Sequence, residues 1–223
     1  MKLKALATTI VAGGLLAAAG PSLAVTCSTV STIAGWAALG AAGCTDNTDG
    51  DTTWVFVSAT VPLTSAFSVT EIPFTGGDLY NVAFDFGIPQ GTGSVGESVS
   101  YTATGTAAEP FDAANFDSNV TQGQGVSGNV ATGHITAAGG VDVMLTSTNG
   151  GHAPPTGETS FANSLTINVT DTLVTIPQGS VFNAMNNSFQ TGTVGGKIPE
   201  PATLLLLGAA LAGAGFARRR KQD

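Results

Sequence analysis

The sequence predicts an all-β protein, an antiparallel β-sandwich of which a jelly roll is one form. A short disulfide-stapled helix precedes the sandwich, and a signal peptide and a C-terminal transmembrane helix flank the whole. Three observations carry this. From Thr53 onward apolar residues recur at every second position. Turn residues interrupt the pattern at short intervals, and no helical spacing falls between the runs. A parallel α/β sheet would need helices between its strands, so the antiparallel class follows.

The N-terminus opens with a basic stretch, Met1-Lys2-Leu3-Lys4, and an apolar run from Ala5 to Ala19. Pro21 breaks the helix, and Ser22-Leu23-Ala24 places small residues where a signal peptidase acts. Residues 1–24 therefore read as a secretory signal peptide cleaved after Ala24. A permanent N-terminal anchor is the weaker reading, because the apolar stretch is short and its exit is a cleavage site.

Residues 25–52 form the next unit. Cys27 and Cys44 are the chain's two cysteines, and in an exported protein they are expected to pair. A metal site built on them would lack further Cys or His at zinc spacing. Between them, Ile33, Trp36, Ala37 and Leu39 recur at helical spacing behind Ser and Thr, and Gly43 is placed to end the turn. "TDNTDGDT" follows, Thr45 to Thr52. Asp46, Asn47, Asp49 and Asp51 around Gly50 supply hard oxygen donors on a tight loop, the donor type calcium takes. EF-hand spacing is absent: counted back from Gly50, the first ligand position is Thr45 and the twelfth is Phe56. An Asx-rich turn without metal is the competing reading.

The sandwich is expected over residues 53–190. "YNVAFDFGI" puts Tyr80, Val82, Phe84, Phe86 and Ile88 on one face, with Asn81, Asp85 and Gly87 on the other. "SVSYTAT" turns Val99, Tyr101 and Ala103 inward, and "LTINVT" does the same with Leu165, Ile167 and Val169. "TWVFVSATV" and "TLVTI" are denser and suit central strands. Turns are marked at Gly76-Gly77-Asp78, Pro89-Gln90-Gly91, Gly139-Gly140, Asn149-Gly150-Gly151 and Pro177-Gln178-Gly179. About eight strands result. Gly105 to Gly128, rich in Asn, Gln and Gly, reads as a long loop or irregular edge.

Charge narrows the function classes. All seven basic residues, Lys2, Lys4, Lys197, Arg218, Arg219, Arg220 and Lys221, lie at the two ends. Of fifteen acids only Glu200 and Asp223 are in the tail, which leaves thirteen, and no Lys or Arg, between 25 and 196. Such a domain cannot clamp phosphate, so nucleic acid is not its partner. Cations or a hydrated polymer are more natural company.

Catalytic patterns are sparse. There is no Gly-x-Ser-x-Gly elbow, and a Ser-x-x-Lys pair needs a Lys that the domain lacks. His134 and His152 lie near Gly-rich turns. Glu71, Glu97, Glu109 and Glu158 are candidates for a glycosidase carboxylate pair, a list any acidic domain offers. Asn119, Asn168 and Asn186 each begin an N-glycosylation-type tripeptide. The expectation is a protein that is not an enzyme and has no cofactor, calcium aside.

The tail is the most informative stretch. A linker over 191–201 ends in Pro199-Glu200-Pro201. Ala202 to Ala217 is then uncharged, and Arg218, Arg219, Arg220 and Lys221 stop it within the closing segment 218–223. As a helix the run spans roughly 24 Å, short of the roughly 30 Å hydrocarbon core. Local thinning or a snorkelling Arg218 would let it cross, with the basic cluster cytoplasmic and the acidic domain outside.

In order and spacing, the Pro-Glu-Pro step, short apolar helix and basic cluster resemble the PEP-CTERM sorting signal of Gram-negative bacteria. That resemblance implies recognition by an exosortase, a membrane cysteine transpeptidase, with processing near Pro-Glu-Pro and loss of the helix. It also implies a role linked to exopolysaccharide, biofilm or floc. Pro199 and Pro201 would hold the backbone extended and deny the helix an early start. "LGAAGCTDNTDGDTTWVF" and "INVTDTLVTIPQGSVFNAMNNSFQ" are similar to the opening and closing portions of a group of PEP-CTERM proteins. The Asp-rich residues after Gly43-Cys44 depart from that group, which supplies no catalytic residue.

The expected protein passes through export machinery and signal peptidase. It is held transiently in the inner membrane and reaches the cell surface or matrix as a structural or adhesive component. A carbohydrate-binding module for matrix polysaccharide is the first rival, with Trp54 the lone candidate tryptophan in the sheet region. A secreted hydrolase, needing an acidic cleft or a His134–Asp pair in a pocket, is the second.

Overall fold

The computed structural model describes residues 25–46, 48–89, 96–155 and 158–192. The signal peptide with Ala24, Asn47, and the whole tail from 193 lie outside the described residues. Among the described residues no helix is long and apolar enough to cross a membrane.

Eleven strands form two antiparallel sheets: β1 (Cys44–Thr45), β2 (Thr53–Ala59), β3 (Ala66–Phe74), β4 (Gly77–Pro89), β5 (Ser98–Thr104), β6 (Phe111–Thr121), β7 (Val130–Ala137), β8 (Val141–Thr148), β9 (Thr159–Ser164), β10 (Thr166–Thr175) and β11 (Val181–Thr191). The first sheet runs β1-β2-β5-β10-β7-β8 and the second β3-β4-β11-β6-β9. Strands β4 to β11 change sheet at every step except β7 to β8. Their orders, β4-β11-β6-β9 and β5-β10-β7-β8, are those of an eight-stranded jelly roll. Strands β2 and β3 extend it, one on each sheet.

The expected alternation holds in β4, where Tyr80, Val82, Phe84, Phe86 and Ile88 are all buried, and in β5 with Val99, Tyr101 and Ala103. In β10, Ile167 and Val169 face the core but Leu165 is 49% exposed. Leu165 sits between β9 and β10, before the pairing with β5 and β7 begins at Thr166 and Ile167, so the period does not reach it.

Two expectations are corrected. The expected loop from Gly105 to Gly128 contains strand β6, which pairs with β11. Its outward Asp112, Asn115, Asp117 and Asn119 hide the inward Phe111, Ala114, Phe116 and Ser118, and register shifts at both its ends break the period. The dense "TWVFVSATV" strand is also not central. Only two-residue β1 lies beyond β2, whereas "TLVTI" does sit mid-sheet in β10.

The helix α1 (Ile33–Ala37) closes the side of the sandwich where β2 and β3 run. Thr32 caps it by accepting from Gly35 N–H at 3.1 Å. The amides of Ile33 and Ala34, which no turn of this helix could satisfy, donate to the carbonyls of Ser65 and Leu63. Trp36 stacks on Phe67 with centroids 4.0 Å apart and also meets Phe56, Phe84 and Tyr101, so one ring joins both sheets. Cys27 and Cys44 are disulfide-bonded, as expected.

Candidate functional site

The chemistry gathers at one end of the jelly roll, where the β1–β2 loop, the β3–β4 hairpin and the β5–β6 loop meet. The loop folds around Asp46, which is 1% exposed. Its Oδ1 accepts from the amides of Thr48, Asp49 and Gly50, and its Oδ2 from Thr52 at 2.7 Å. Burial pushes this carboxyl up, but the N–H bonds from Thr52, Gly50 and Thr48, with the neighbouring Glu71, outweigh it and hold the pKa below the usual range. Asp46 therefore builds the Asx-type turn.

The remaining carboxylates converge on this turn. Oxygens of Asp49, Asp51 and Asp78 lie within 4.8 Å of one another, and so do those of Asp46, Asp49 and Glu71. Glu71 Oε2 accepts from Thr48 N–H at 3.2 Å, while its buried Oε1 has no partner. Tyr80 donates to Asp51 Oδ1 at 3.2 Å and lies 2.9 Å from the Thr52 hydroxyl. Asp78 is only 6% exposed, and no N–H or O–H of the described residues donates to its carboxylate, which faces that of Glu109. Burial and then Asp49 push Asp51 up to about 6, and burial and then Glu109 push Asp78 up to about 6. The side chains that could hold a hard cation are thus Asp49, Asp51, Asp78 and Glu71, with Glu109 adjacent.

Sequence reasoning named Asp46, Asn47, Asp49 and Asp51 as a group, of which Asn47 lies outside the described residues, and missed Asp78. The signal was present: carrying the alternation of Phe84, Val82 and Tyr80 one step back puts Asp78 on the buried face. Glu71 and Glu109 join this end, Glu97 stands at the other end of β5, and Glu158 lies beside β9, so the four glutamates do not assemble as one pair or cleft.

His134 Nε2 lies 2.8 Å from Asp142 Oδ1 on the outer face of the first sheet, and His152 is 3.5 Å from Asp117. An open groove of about 720 Å³ along the β8–β9 side is lined by Met144, Thr146, Thr148, His152, Pro155 and Thr159 among others, with no aromatic among the described lining residues. Trp36 and Trp54 are both fully buried, so the tryptophan considered for stacking a sugar is part of the core. Across the first sheet, Ser100 pairs with Thr170, Thr102 with Asn168 and Thr104 with Thr166 by side-chain hydrogen bonds of 3.0, 3.0 and 3.3 Å.

The sorting residues Pro199, Glu200 and Pro201 and the basic stop Arg218 to Lys221 lie outside the described residues. The PEP-CTERM protein-sorting motif matches residues 197–221. The chain carries a PEP-CTERM sorting motif. That motif marks a protein for export and exosortase-dependent sorting to the cell envelope. No curated protein matches the chain significantly. One solved structure of similar shape, TmCBM61 in complex with β-1,4-galactotriose, is 10% identical over 57% of this chain and 88% of that one, with a TM-score of 0.28. So slight a likeness carries no argument about what this chain binds.

Proposed function

We propose that the protein is a non-catalytic, structural or adhesive component of the cell envelope or extracellular matrix, delivered by an exosortase that removes its tail near Pro199-Glu200-Pro201. The observation that carries this reading is the sorting motif at 197–221 behind a jelly roll whose sheets present hydroxyl and amide carpets. The second sheet repeats the theme, with Asn183 donating to Asn119 and Thr121. With no Lys or Arg between 25 and 196, such faces stay hydrated and suit packing within a polyhydroxyl polymer. A dedicated sugar site would be built on exposed rings, and both tryptophans are spent on the core.

Intact-mass spectrometry of the cell-associated and released protein tests the delivery step. The released form should lack the apolar run and basic cluster, and deleting the exosortase should leave the tail on. If the tail through Arg220 persists on every molecule, the sequence acts as a plain anchor and the reading fails.

A further inference from the structure

We propose that the loop end of the jelly roll binds a calcium ion, with the carboxylates of Asp49, Asp51 and Asp78 as its ligands and Glu71 and Glu109 flanking them. Asp78 is the deciding residue. At 6% exposure its carboxylate accepts from no N–H or O–H of the described residues; the group at hydrogen-bond distance is the carboxyl of Glu109, with Asp49 and Asp51 close by, so these acids can be ionised together only around a cation. A buried carboxylate is ordinarily paired or hydrogen-bonded, because desolvating an unpaired charge is costly. The flanking groups repeat the deficit: the buried Oε1 of Glu71 and Oε2 of Glu109 have no partner. None of the described residues is a Lys or Arg that could pair with them.

The donor set selects the ion. It consists of carboxylate oxygens alone, which excludes the nitrogen and sulfur ligands that zinc favours. The ligands come from two segments remote in sequence with Glu109 of a third beside them, and calcium accepts a crowded, irregular oxygen shell, whereas magnesium retains several waters in a strict octahedron. The ion would tie the β1–β2 loop to the β3–β4 hairpin and, through Glu109, to the β5–β6 loop. Asp46 stays occupied with backbone amides and shapes the loop instead of ligating. A site open to solvent on the side of the exposed Asp49 and half-buried Asp51 matches the weak affinities of extracellular calcium modules, roughly 0.1–1 mM.

The test uses the full chain in detergent after chelation. Calorimetric titration with CaCl2 should give one site per chain. At 10 mM CaCl2 the folding equilibrium should shift by roughly 10- to 100-fold, read as a rise in Tm over a control matched in ionic strength with NaCl. Terbium should luminesce on excitation of the aromatic residues, because Tyr80 touches Asp51 and its ring lies 5.5 Å from that of Trp54, and calcium should quench the signal by displacement. Asp78→Asn and Asp51→Asn should each weaken binding at least tenfold. Without calcium, Asp78→Asn should be as stable as the parent or more so, because it relieves like-charge crowding, so its loss of response is not a loss of folding. Asp142→Asn, on the outer sheet face, should respond like the parent. No binding heat and no Tm shift at 10 mM CaCl2, an equal shift from NaCl, or an unchanged response in Asp78→Asn would each overturn the site.

Discussion

Asp171 shows what one residue does to this core. It is fully buried in β10, and Asn187 Nδ2 from the opposite sheet donates to its Oδ2 at 2.6 Å. Asp171 Oδ1 has no partner and the Tyr101 hydroxyl faces Asn187, so three polar groups share the middle of an apolar sandwich. Burial, opposed in part by Asn187, pushes the Asp171 carboxyl up to about 8. The folded chain therefore keeps this proton where the unfolded chain has lost it. Its stabilising contribution is complete below about pH 4 and drains away as pH rises to about 8, by at most about 1.4 kcal/mol per pH unit. Asp51 and Asp78, raised to about 6, act in the same direction at lower pH and have largely lost their protons by about pH 7, so in the window above that Asp171 dominates over them. Asp171→Asn should flatten the pH dependence there and leave the variant more stable than the parent at pH 8. Urea denaturation across that window measures it, and an unaltered slope would show that Asp171 is ionised in the fold.

At the scale of elements, the disulfide segment is the clearest case of mutual support. A five-residue helix has no independent stability, so α1 persists because Cys27–Cys44, the Ser65 and Leu63 carbonyls and the Trp36 stack hold it. Gly43 makes the join possible. Its φ is +61°, and a Cβ there would lie 2.3 Å from the Trp54 carbonyl oxygen. Replacing both cysteines by serine should cost about 3 kcal/mol by denaturant titration. The near-UV circular dichroism of Trp36 should weaken with it, and a variant with unchanged stability would place the helix's support entirely in packing. Elements differ in legibility for a physical reason. Strand β4 announces itself because large apolar side chains alternate with small or polar ones. Strand β6 does not, because Ala113, Ala114 and Ser118 fill inward or buried positions that Phe or Val usually mark, and register shifts interrupt its period.

At the scale of the molecule, delivery and fold are separable. The sorting motif occupies 197–221, and the last strand ends at Thr191. Residues 193–223 fused to an unrelated exported domain should therefore direct its processing, with mass spectrometry showing tail loss only in cells that have the exosortase. Retention of the tail on the fusion would mean that the jelly roll itself is read.

The sorting motif, the antiparallel class and the cysteine pair were legible in the chain, because each rests on neighbouring residues, on a two-residue period or on there being just two cysteines to pair. The meeting of Asp78 with the Asp49–Asp51 loop, the burial of Trp54 and the Tyr101–Asp171–Asn187 centre were not. Each depends on which strands lie side by side and which faces oppose across the sandwich. That is set by the sum of many weak contacts between segments far apart in sequence, so no local pattern announces it.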